Sequence, residues 1–161
     1  MANPFWDFSL VAYAAPGVAE ACLEAQDSFG LDVNLVLYAA WLAELGQALT
    51  PEHLDGMNSA TGEWRRRAVA PLRALRRDLA SLADAHDLRE QVKSLELAAE
   101  QQQQALMWRL YSETPSLPSG ATLAENVALV FRAGKATESA AVACQSRLVS
   151  ALSGVAEGSA Q

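Results

Sequence analysis

The residues predict an all-α fold: a single-domain bundle of six or seven helices. Three observations carry that expectation. Alanine and leucine dominate the 161 residues, while β-branched residues and glycine are scarce, a composition that favours helix. Apolar residues recur at helical spacing between residue types that start and stop helices. No segment alternates apolar and polar residues as a half-buried strand does. A chain of this length buries roughly 70% of its unfolded surface, so one core suffices without disulfide or metal. The expected division is one helical domain over residues 1–153 and a disordered tail over 154–161.

The elements follow in order. Asn3-Pro4 opens the first helix, a capping side chain and then proline at the first helical position. Pro16 opens the second, which Gly30 ends after Phe29, with Val18, Cys22, Ala25 and Phe29 on one face. "DVNLVLYAAWLAELG" is apolar on nearly every side, with Asp32 as cap and Gly46 as stop. About 14 residues at 1.5 Å span roughly 21 Å, short of a bilayer core of about 30 Å. Residues of about 32–45 are therefore the central buried helix. Asn34 is its buried polar candidate, an amide in the first turn that bonds nearby backbone.

Thr50-Pro51 starts a short helix that Gly56 and Gly62 are expected to break. From Glu63 to about Leu82 runs a longer one, its apolar stripe Trp64, Ala68, Leu72, Leu75, Leu79 and Leu82. Pro71 lies inside it, lacks an N–H and meets the carbonyl of Arg67, so a kink is expected. A long helix over about 87–112 buries Leu88, Val92, Leu95, Ala99, Leu106 and Leu110, and its run Gln101 to Gln104 counts as helix former. "TPSLPSG" is a loop. Thr122 and Glu125 form a capping box opening a helix to about Ala133, and Thr137 opens the last, to about Leu152.

Charge directs attention to one segment. "WRRRAVAPLRALRRDLA" holds six arginines (Arg65, Arg66, Arg67, Arg73, Arg76 and Arg77) in a chain with 12 Lys plus Arg and a net charge of -7. At about 100° per residue Arg66, Arg73 and Arg77 fall roughly opposite the Trp64–Leu72–Leu79 stripe and Arg65 and Arg76 on its flank, so the charge covers one broad side. Three uses compete. An antiparallel neighbour would lay Asp84, Asp87, Glu90, Glu96 and Glu100 beside them, and the guanidinium fork grips a carboxylate with two bonds. An acidic protein partner would find steering charge and hot-spot residues. A nucleic acid would find phosphate contacts, though Trp64 is the only aromatic in the stretch. The overall acidic balance opposes a general nucleic-acid coat.

Signatures of chemistry are missing. His53 and His86 lack metal-ligand spacing, and no H-E-x-x-H, P-loop, G-x-G-x-x-G or G-x-S-x-G occurs. Glu96 and Glu100 make an i, i+4 carboxylate pair without the E-x-x-H partner of a di-metal bundle. Cys22 and Cys144 read as small apolar residues of a reduced chain. The start "MANPFWDFSLVAYAAPG" has no basic n-region and is interrupted by Asp7, so no export signal is expected. Asp7, among aromatics, is a second buried polar candidate and is expected to pair with an arginine, Arg67 or Arg73; the alternative is a carboxylate favoured by the helix dipole.

Four segments in order, "NPFWDFSL", "GVAEACLEAQDSFGLDVNLVLYAAWL", Trp64 with "PLRALRRDL", and "ELAAEQQQQ", resemble an uncharacterised family of small proteobacterial proteins known only as a domain of unknown function. The likeness covers about 3–104 and implies a bacterial cytoplasmic protein with no catalytic residues to carry over.

The expected function is that of a non-enzymatic adaptor or regulator, without cofactor or membrane contact. It binds an acidic protein partner through Arg65, Arg66, Arg73, Arg76 and Arg77. The rivals are a nucleic-acid or ribosome-associated binder using the same arginines, and a small-molecule binder or enzyme with an aromatic pocket near Trp6 and Trp41.

Overall fold

The computed structural model describes residues 2–158. It is all-α, as composition and spacing require. The helices are α1 (Pro4–Ala14), α2 (Val18–Phe29), α3 (Val33–Glu44), α4 (Pro51–Trp64), a π-helical turn (Arg65–Val69), α5 (Ala70–Leu79), α6 (His86–Glu113), α7 (Leu123–Ala133) and α8 (Ser139–Gly158). They gather into two compact units, Met1–Asp55 with Thr114–Gln161, and Gly56–Glu113.

In the first unit, local chemistry sets the helix ends. The Asn3 side chain accepts from the N–H groups of Phe5 (3.1 Å) and Trp6 (3.2 Å). Asp32 does the same for Asn34 (3.0 Å). Thr122 and Glu125 close a reciprocal capping box at α7. Helix α2 starts at Val18 and not at Pro16, because Gly17 takes φ 84° and turns the chain first. Helix α8 runs past Leu152 to Gly158, since one interior glycine, Gly154, costs only about 1 kcal/mol. The tail expected over 154–161 is thus helical through Gly158, and residues 159–161 lie outside the described residues.

Helix α3 is the centre of this unit. Every residue from Asn34 to Leu42 is buried, and each large apolar side chain hidden this way stabilises by roughly 1.5–3 kcal/mol. Phe5 packs on Tyr38 and Trp41 with ring centroids 5.4 Å apart in both pairs. Helix α7 covers α3, and α2 pairs with α8. Asn126 of α7 is a buried clip. Its Oδ1 accepts from Leu49 N–H (2.9 Å), and its Nδ2 donates to the carbonyls of Ala39 (3.2 Å) and Gln47 (2.9 Å).

The second unit is a hairpin. Helix α4 does not break at Gly56 or Gly62; it passes through both into the π turn and α5. Two interior glycines cost about 2 kcal/mol in propensity, and the buried side chains of Met57 and Thr61 on the same helix work against that cost. The disturbance expected at Pro71 takes the form of the π turn, in which Ala70 N–H bonds the carbonyl of Arg65, five residues back. Widening the ladder there gives the proline ring room beside the carbonyl of Arg67. After a short turn, α6 packs back along α5.

Candidate functional site

The six arginines do not share one outward face. Arg73 Nε donates to Glu96 Oε1 (3.0 Å), and its Nη2 donates to Glu100 Oε1 (2.9 Å). Arg76 Nε donates to the other Glu96 oxygen, Oε2, and Arg76 Nη2 to Oε1 at 3.3 Å. Arg73 and Arg76, expected to meet a partner, therefore point at α6. The reason is geometric: the antiparallel return places carboxylates 20 to 27 positions downstream within reach of both forks. Arg65 is half-buried and donates to Asn58 Oδ1 (2.9 Å). Arg67 makes an exposed i, i+4 pair with Glu63 at 3.0 Å, the kind of contact that adds little stability. Arg66 and Arg77 are exposed.

Glu96 is the centre of this network, with a side chain only 8% exposed. Burial pushes its carboxyl upward; hydrogen bonds and charge from Arg76 and Arg73 outweigh burial and hold it below its usual value. Glu96 stays ionised and both guanidinium groups stay balanced. Taking one member from such a set leaves a desolvated charge behind, a loss of about 3 kcal/mol or more. The Glu96–Glu100 pair, weighed as half of a metal site, is occupied by arginine. Trp64 adds a fixed point, its Nε1 donating to the Ala99 carbonyl at 2.8 Å.

This network turns α6 about its axis. Its buried side is Val92, Glu96, Ala99, Gln103, Gln104 and Met107. Leu88 and Leu95, expected in the core, are 52% and 56% exposed, and Leu75 and Leu82 are 45% and 59% exposed. An apolar-stripe rule has no means of finding a polar core, and Gln103 and Gln104 carried no local sign of burial. The one usable signal was the arginine count of α5 against the acid count of α6.

Elsewhere the expected polar sites divide. Asn34 is buried in the first turn of α3. Asp7 is not: it is exposed in the first turn of α1, where the dipole favours it, and Arg67 and Arg73 are engaged by glutamates of their own unit. Two polar contacts of the first unit went unforeseen, the Asn126 clip and Tyr38 Oη at 2.7 Å from His53 Nε2. Burial pulls the His53 ring below its ordinary value, so it serves Tyr38 as a neutral partner. Cys22 and Cys144 are buried thiols, and burial, then the neighbouring Cys144, pushes Cys22 up to about 12. That makes Cys22 inert at neutral pH.

A cavity of about 180 Å³ in the first unit is lined by Phe8, Ala40, Ala43, Glu44 and Leu152 among others. Ligand sites run from about 300 Å³ and carry convergent polar groups. Trp6 and Trp41 do not line it. Among the described residues, no group of three His, Cys, Asp or Glu side chains is placed to hold a metal ion, and no helix is long and apolar enough to cross a membrane.

Neither a curated protein nor a solved structure matches the chain. One family model does, over residues 4–107, a span that takes in α1 to α5 and most of α6, the Arg73–Arg76–Glu96 network included. The chain belongs to that family, described as protein of unknown function (DUF2390).

Proposed function

We propose that the chain is a non-enzymatic interaction protein of the bacterial cytoplasm, an adaptor or regulator that meets an acidic protein partner on the hairpin. The observation that carries this reading is the placement of charge. Gly56–Glu113 holds nine of the twelve Lys and Arg, with Arg66 and Arg77 exposed. Arg73 and Arg76 contribute indirectly, as part of the network that holds α5 on α6. Exposed guanidinium groups on the π turn and α5 suit recognition of carboxylates and speed encounter.

The test is affinity capture from a bacterial lysate with the natural chain and with Arg66→Glu/Arg77→Glu, each with and without nuclease. The reading expects a protein retained by the natural chain, lost with the variant and indifferent to nuclease. Retention that nuclease abolishes and that falls steeply with salt assigns the arginines to nucleic acid instead. Identical retention by both chains removes these arginines from the site.

A further inference from the structure

The hairpin has a second side, opposite in character to the arginines. On α5, Arg73, Arg76 and Leu79 mark the side turned inward. At about 100° per residue, Leu75 and Arg77 each stand a little over a quarter turn from that direction, in opposite senses. On α6 the inward side is Val92, Glu96 and Gln103. Leu88 and Leu95 stand roughly a quarter turn away, in the same sense as Leu75. In an antiparallel pair, equal sense means the same side. The Arg76–Glu96 contact sets Leu75 within about 3 Å of the level of Leu95, and Leu82 and Leu88 flank the connecting turn. Leu75, Leu88 and Leu95 thus share one flank, Leu88 and Leu95 about 10 Å apart along α6, with Leu82 in the turn at its end, all 45 to 59% exposed.

We infer that this leucine flank is an interface for a second copy of the chain, closing two hairpins into a four-helix bundle. Three observations select a copy over another occupant. First, the unit is a single two-helix layer, and apolar flanks of such a layer are buried by a second layer of helices. Second, the flank carries little charge: spacing brings Gln91 and Gln102 beside the α6 leucines, and its charged neighbours are Asp78 at the edge of the α5 side and Asp84 in the connecting turn, so the contact itself is apolar. Third, the charge of the chain permits two copies to meet here and opposes it elsewhere. Gly56–Glu113 carries nine Lys and Arg against eight Asp and Glu, whereas the rest carries three against eleven. A two-fold contact sets the same patch on both copies, which requires a patch that does not repel itself. The arginines of the proposed function lie off this flank, so the two ideas stand or fall separately.

Sedimentation of the full chain from micromolar to near-millimolar concentration tests it. The mass should rise from 17.2 kDa toward twice that value, with little dependence on salt because the contact is apolar. Leu88→Glu/Leu95→Glu should raise the dissociation constant more than about tenfold, while Leu23→Glu, an exposed leucine of α2, should leave it unchanged. If the glutamates unfold the hairpin, as circular dichroism would show, Leu82→Ser/Leu88→Ser takes their place. A chain that stays monomeric throughout, a dimer indifferent to the leucine pair, or one equally weakened by Leu23→Glu overturns the inference.

Discussion

The two units hide different things. In the first, α3 buries leucine, valine, tyrosine and tryptophan, and its polar groups are few and individually clipped. In the second, α6 buries a glutamate and two glutamines and leaves leucines in water. The first is held by apolar area. The second sets a smaller apolar group, Met57, Val69, Leu79, Val92 and Met107, beside charge balanced at short range, a weaker source of stability because desolvation opposes it. A unit of that kind has surface left over for partners, and both proposals above draw on that surface.

The comparison breaks most severely at α3. Leu42→Ala, at a fully buried position, should cost about 3–4 kcal/mol in denaturant unfolding. Next is the network. Glu96→Ala should cost about 3 kcal/mol, because Arg76 loses both of its bonds to that carboxylate and Arg73 loses one of its two charge pairs, keeping Glu100. A pH series sharpens this. The folded Glu96 carboxyl is held below its ordinary value by Arg76 and Arg73. Its contribution is therefore complete above the pKa of an unfolded glutamate and is lost as pH falls through the lower folded value. Acid-unfolding curves of Glu96→Gln should lack this component, and an unchanged acid limb would show that the network contributes nothing. Asn126→Ala should cost about 2 kcal/mol by removing its three bonds, to Leu49 N–H and to the carbonyls of Ala39 and Gln47. Thr122→Ala, an exposed cap, should cost about 1 kcal/mol.

What could be read from the chain alone follows the range of the interactions. Asn3, Asp32 and the Thr122–Glu125 box act within three residues, so their helix starts were legible. Helix α3 was legible from being apolar on all sides over too short a span for a membrane. The rotation of α6 was not, because Glu96 turns inward toward arginines 20 and 23 residues away while Leu88 and Leu95 satisfy every local rule for a core. Gly56 and Gly62 mislead for a similar reason: a propensity of about 1 kcal/mol each yields to tertiary packing. Asn126, whose partners lie 77 to 87 residues upstream, had no local signal. Of the candidate site, the internal pairing of Arg73 and Arg76 was foreseeable as one use among three; that four leucines would be left outside was not.

Hydrogen exchange on Glu96→Ala beside the natural chain puts the contrast to its most direct test. If charge balance holds the hairpin and apolar burial holds the rest, amides of α5 and α6 exchange faster in the variant while those from Leu35 to Leu42 keep their protection. Protection lost equally in α3 and α6, or unchanged in α6, would contradict the account.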